Sequence, residues 1–158
     1  MRATEFLDEV AIDNREGWGS VPHNQDVDYF GLRVLMRPST FLKLALPLEG
    51  EPPSKDAIKQ HIRAGGAIGA PFLDIKIPVE WEDGEYEQAQ ARVVGHEGRN
   101  RMMAVLEVEG DKPVEVHLFP RGGMRRRDIT DGMIQRMKNG LQRQGGGYLS
   151  GPLFRMAG

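Results

Sequence analysis

The chain has 158 residues, 39% of them apolar and 28% charged, with a formal net charge of −2. That length is one domain with room for a hydrophobic core, and the slightly acidic balance lacks the overall basic footprint of a nucleic-acid-binding domain. The absence of cysteine excludes disulfides, thiolate metal sites and a cysteine nucleophile.

The opening "MRATEFLDEVAIDNREGW" lacks the apolar core of a signal peptide, and no apolar run reaches the ~20 residues of a membrane span. A cytoplasmic protein without membrane contact is expected. The twenty glycines follow no period, so they are expected at turns, caps and close backbone approaches. Residues 1–27 read as a polar N-terminal arm, irregular around "EGWGSVPHN", with Trp18 as an anchor. Residues 28–119 read as the core and residues 120–158 as a basic helix with a tail, all within a single domain.

"DYFGLRVLM" (Asp28 to Met36) is strand-like, and Pro38, Ser39 and Thr40 open a short helix with Phe41, Leu42, Leu44, Ala45 and Leu46 buried. In "SKDAIKQHIRAGG", Ser54 caps a helix whose Ala57, Ile58, His61 and Ile62 share a face, ending at Gly65 and Gly66. "APFLDIKIPVEW" predicts a strand with Phe72, Leu73, Ile75, Ile77 and Val79 buried. The acidic "EWEDGEYE" predicts a hairpin tip turning at Asp83-Gly84, with "QARVVG" returning as the partner strand.

From Asn100, "NRMMAVLEVEG" predicts a helix with Met102, Met103, Val105 and Leu106 inward, stopped by Gly110. "KPVEVHLF" alternates Val114, Val116 and Leu118 against Glu115 and His117, as a half-buried strand does. Thr130 is the expected cap of a last helix with a Met133, Ile134, Met137 and Leu141 stripe, and "GGGYLSGPLFRMAG" closes the chain as an anchored loop. Strands and helices alternate irregularly, which predicts an α+β fold with a small mixed sheet and packed helices.

Chemistry concentrates in "GHEGRNRMMA" (Gly95 to Ala104), where a strand gives way to a helix. A helix N-terminus carries unpaired N–H groups and partial positive charge, so phosphates bind there readily. Gly98 permits close backbone approach, Arg99 and Arg101 supply forked donors, and Asn100 can cap the helix or donate to a ligand. Glu97 can hold an arginine, bind a metal or accept a proton, and His96 is a general-base candidate beside it. The plain alternative is a charged turn before a helix.

The segment "EGRNRMMA" resembles the signature of the ParB/sulfiredoxin-like superfamily, a G-x-x-R-x-x-A run entering a helix, with Glu97, Gly98, Arg101 and Ala104 at its positions. "DAIKQHIRAGGAIGAPFLDI" is similar to the family's helix, Gly-loop, Pro and strand unit, and "GDKPVEVHLF" to its Pro-Val strand. The likeness covers Asp56 to Phe119, about two-fifths of the chain. It implies a nucleotide-binding module, with ATP or CTP phosphates at Gly98, Asn100 and Arg101 and Mg²⁺ as a companion ion. It implies NTP hydrolysis or phosphoryl transfer as the activity, with Glu97 beside the phosphates. Arg99 is an extra charge outside the family pattern and joins the candidate phosphate site through its own forked donors. The missing cysteine excludes sulfiredoxin chemistry, and the segment after Phe119 is too short for the partition proteins' DNA-reading domain.

Arg121 to Arg143 holds seven Lys/Arg against two Asp, and Arg125, Arg126 and Arg127 form a candidate DNA contact. No aromatic residue interleaves with them to stack bases, so a solvated helix face is the competing reading. A non-catalytic DNA-binding module, or a structural component of a phage or mobile-element protein assembly, are the alternatives to a nucleotide enzyme. The four histidines, His23, His61, His96 and His117, lack ligand spacing, so no zinc site is expected.

Overall fold

The computed structural model of the chain describes residues 31–47, 56–66, 68–84, 89–122 and 124–158. Among these residues the order is β1 (Leu32–Met36), α1 (Pro38–Leu44), α2 (Asp56–Arg63), β2 (Phe72–Lys76), α3 (Val79–Glu82), β3 (Arg92–Glu97), α4 (Arg99–Glu109), β4 (Val114–Pro120), a 3₁₀ turn (Arg126–Asp128), α5 (Asp131–Asn139), β5 (Gly140–Gln142), β6 (Tyr148–Ser150) and β7 (Arg155–Met156). The class is α+β. The N-terminal arm, the strand residues expected at 28–30, the Ser54 cap and the second half of the acidic stretch lie outside the described residues.

All seven strands join one mixed sheet in the order β6-β5-β3-β2-β4-β1-β7. β2 and β4 run parallel at its centre, with β3 antiparallel to β2 and β1 antiparallel to β4. β6 and β7 occupy opposite edges, yet only residues 151–154 join them. At ~3.6 Å per residue that link reaches roughly 18 Å. The six gaps of a flat sheet at ~4.8 Å would need roughly 29 Å. The sheet must curl. The link runs along the end of α5, where Gly151 N donates to Asn139 O and Leu153 N to Lys138 O at 2.6 and 2.9 Å. The expected terminal loop is therefore two edge strands flanking buried Leu153 and Phe154, strands too short to leave a periodic trace.

Alternate strand residues enter one apolar cluster: Val34 and Met36 from β1, Leu73 and Ile75 from β2, Val116 and Leu118 from β4. All five described helices cover it, α1 through Phe41 and Leu44, α4 through Met102, Ala104 and Val105, and α5 through Met133, Ile134 and Met137. Met103 and Leu106 of α4, expected inward, are only half-buried. In α2, Ile62 is buried and Ile58 half-buried, while Ala57 and His61 are exposed. Thr130 caps α5 as expected, its Oγ1 accepting from Met133 N at 3.1 Å. Leu141, expected to continue that helix stripe, belongs instead to β5, because Gly140 ends the helix. α1 takes its cap from far away: Asp111 accepts from Ser39 N and Oγ at 2.8 and 2.6 Å.

Two further expectations are corrected. "VEWE" is the helix α3 rather than the start of a hairpin tip, so Val79 is exposed and Trp81 is buried. Pro78 is the cause, since it offers no N–H to extend the β2 ladder and its φ suits a helix N-cap. Glu115 and His117 were expected on a solvent face, but every residue of β4 is buried. On the reverse side of the sheet, Phe72 and Phe119 meet edge to face at 5.2 Å, and Glu115 accepts from Arg33 Nη2 and His117 Nε2, each at 2.8 Å. Desolvation pushes the Glu115 pKa up, but the bonds from His117 and Arg33 outweigh it and hold it below the ordinary carboxylate value.

Candidate functional site

β3 continues through Gly95, His96 and Glu97, so the loop expected between strand and helix shrinks to one residue, Gly98. Its φ of 99° and ψ of 19° lie in the left-handed region that glycine alone enters cheaply. Glycine is needed twice over, because a Cβ there would stand 2.8 Å from the Pro71 Cβ and 2.8 Å from the Arg101 Nη2. The Gly–Pro–strand segment and the motif segment, remote in sequence, thus touch at Gly98.

Gly98, and not Asn100, is the N-cap of α4, and it brings no side chain to that role. The first turn holds Arg99, Asn100 and Arg101 and no acid. Its N–H groups therefore sit with cations and no capping carboxylate, the electrostatic setting an anion prefers. The entry angle depends on a bulge in β3: Asp74 pairs with Gly95 but Ile75 with Val93, leaving Val94 extra. Gly95 lets the buried Asp74 carboxylate in, since a Cβ would stand 2.9 Å from Asp74 Oδ2, which binds Arg121 Nη2 at 2.8 Å.

His96, Glu97, Gly98, Arg99, Asn100 and Arg101 line one cleft of about 360 Å³, with Ile58 of α2 also in its wall. Lys59, bound to Glu107 at 3.2 Å, ties α2 to α4 and holds that wall. The two arginines differ in duty. Arg99 Nη1 donates to the carbonyls of Leu42 and Ala45 at 2.8 and 3.0 Å and so closes the end of α1. Arg101 folds back over Gly98, where burial lowers its pKa to about 10 while the Glu97 carboxylate pulls the other way. It remains a cation at neutral pH. His96 Nδ1 bonds Gln144 Oε1 at 2.6 Å, and its ring meets Phe41 edge-on at 6.5 Å.

None of Arg125, Arg126 and Arg127 lines this cleft. Arg125 binds Asp128 through its backbone N and its Nε, Arg126 Nη1 donates to Ile129 O at 3.2 Å, and Arg127 is exposed. Arg125 and Arg126 thus make local contacts within the 3₁₀ turn and its end. A second cleft, of about 390 Å³, lies between α3 and α5, with Trp81, Met124 and Met133 among its walls and Glu82 and Asp128 at hand. Arg136 stacks 5.5 Å from the Trp81 ring and donates to Ala89 O.

Six residues of the first cleft were legible in the sequence, whereas Gln144 and the wall made by Ile58 were missed. Ile58 had a readable cue, its place on the apolar side of α2. Gln144 had none, since it reaches His96 from beyond β5 only through the sheet. Among the described residues no group of three or more His, Asp or Glu side chains could hold a metal ion, and no helix is long and apolar enough to cross a membrane. Comparison with protein-family models, with curated proteins and with solved structures gives no match to this chain.

Proposed function

We propose that the cleft at Gly98 binds the phosphates of a nucleoside triphosphate, ATP or CTP, in the manner of a ParB/sulfiredoxin-like module. The observation that carries this reading is the junction itself: a strand ends directly in a side-chain-free, left-handed cap, opening a helix with three polar, acid-free first-turn residues. An anion there gains the helix N–H groups and the Arg101 guanidinium together. A cation already stripped of part of its water gains more from such a partner than a solvated one. The cleft is large enough for a phosphate chain, at the lower end of small-ligand sites.

Arg101 and Asn100 would contact the phosphates, while Arg99 would mainly hold α1 against the site. Mg²⁺ binds most often through phosphate oxygens with one or two carboxylates, and Glu97 is the carboxylate in the cleft. The reading extends to hydrolysis or phosphoryl transfer, for which Glu97 and His96 are the side chains able to accept a proton from an attacking water or hydroxyl. Titration of ATP and of CTP with Mg²⁺, monitored by calorimetry, tests it. Binding that Arg101→Ala abolishes supports the proposal, and the absence of binding of either nucleotide at millimolar concentration refutes it.

A further inference from the structure

His96 lines the cleft but its role depends on which ring nitrogen carries the proton, and the surrounding bonds settle that. Gln144 Oε1 accepts two contacts, Leu46 N at 3.0 Å and His96 Nδ1 at 2.6 Å. A backbone N–H can only donate, so the amide atom facing Leu46 must be the carbonyl oxygen rather than the nitrogen. The same oxygen faces His96 Nδ1, which must then donate as well, using the second lone pair. The neutral ring is therefore the Nδ1–H tautomer. Nε2 keeps its lone pair, makes no hydrogen bond among the described residues and is not sealed off as a buried orphan atom.

Gln144 is itself held in place. Its N donates to Leu44 O at 2.9 Å, and the adjacent Arg143 Nε donates to Lys43 O at 2.7 Å, so the turn between β5 and β6 is stitched to the end of α1. Gly145, at φ 87°, leaves room for Leu46, whose Cδ1 a Cβ there would approach to 2.9 Å. Phe41 presses on the imidazole from α1, and Leu73 is its cross-strand neighbour on β2. The charged groups sharing the cleft with the ring are Glu97, Arg99 and Arg101.

We propose that Gln144 is a positioning residue that fixes His96 as a hydrogen-bond acceptor toward the cleft, through Nε2. The ligand then presents an O–H or N–H donor beside its anionic group, as an attacking water, an acceptor hydroxyl or a ribose hydroxyl does. What Nε2 is used for rests on the phosphate reading of the cleft, whereas the tautomer does not. The two can therefore fail separately.

The tautomer is read in the full-length, ¹⁵N-labelled protein without ligand, from long-range ¹H–¹⁵N correlations of the imidazoles above their titration range, with His96 assigned by His96→Gln. The expected spectrum has a protonated Nδ1 and a bare Nε2 for His96. In Gln144→Leu the ring reverts to the Nε2–H form that free neutral imidazole favours. Gln144→Glu keeps the Nδ1–H form, since a carboxylate oxygen still accepts from both donors. Should Gln144→Leu fail to fold, the wild-type spectrum and Gln144→Glu still decide. An Nε2–H ring in the wild type, or in Gln144→Glu, overturns the assignment.

Discussion

Replacing Gly98 by alanine is the sharpest probe of the strand-to-helix junction. The backbone there has φ +99°, which costs an L-residue about 1–2 kcal/mol. The new methyl would also stand 2.8 Å from Pro71 Cβ and 3.0 Å from Pro71 Cα. Pro71 cannot simply retreat, because its carbonyl accepts from His117 N at 3.0 Å and leads straight into β2. Overpacking of this kind adds about 1–3 kcal/mol, so Gly98→Ala should lose roughly 2–5 kcal/mol in all. Gly84→Ala is the control. Gly84 has φ +83°, but a methyl there would meet no atom of the described residues within 4 Å, leaving the backbone cost of about 1–2 kcal/mol. Urea unfolding of the three proteins measures both losses from the midpoints at constant slope. A Gly98→Ala loss no larger than that of Gly84→Ala would refute the claim that Pro71 crowds this glycine.

Arg99→Ala removes the donor that closes two α1 carbonyls and should cost about 1.5–3 kcal/mol, visible as a lowered thermal midpoint. Thr130→Ala should cost about 1 kcal/mol through loss of the α5 cap, checked by the same melt, with Thr130→Ser close to wild type. Glu115 has a lowered folded pKa, so the stability it contributes is present above its unfolded value and lost as pH falls through the folded one. Glu115→Gln should therefore be less stable at neutral pH and show a shallower dependence of stability on pH across roughly pH 3–5, followed by urea unfolding at each pH.

How much of this was readable depends on the range of the contacts involved. Thr130 and the Met133, Ile134 and Met137 stripe are local features with a helical period, and they appear where expected. β1, β2 and β4 were readable for the same reason, as runs of branched and alternating residues. The six cleft residues from His96 to Arg101 were readable because they are contiguous, so chemistry concentrated in sequence stayed concentrated in space. Burial of Glu115 and His117 was not readable, since alternation names two faces but not what lies on the second. Val79 failed because Pro78 turns the chain into a helix before the apolar pattern ends.

Residue type and spacing along the chain were enough to establish the α+β class, the longer elements and a strand-to-helix junction near Gly98. Local propensity and period act within a few residues, which is the range over which such signals are written. Contacts across the sheet settled the rest. They brought Pro71 against Gly98, assigned Arg99 to α1 while Arg101 stayed with the cleft, and carried Gln144 to His96. They also turned a tail that reads as irregular into both edges of a curled sheet. Each of these joins residues far apart in sequence, and no local period records which distant backbone will arrive to complete a bond.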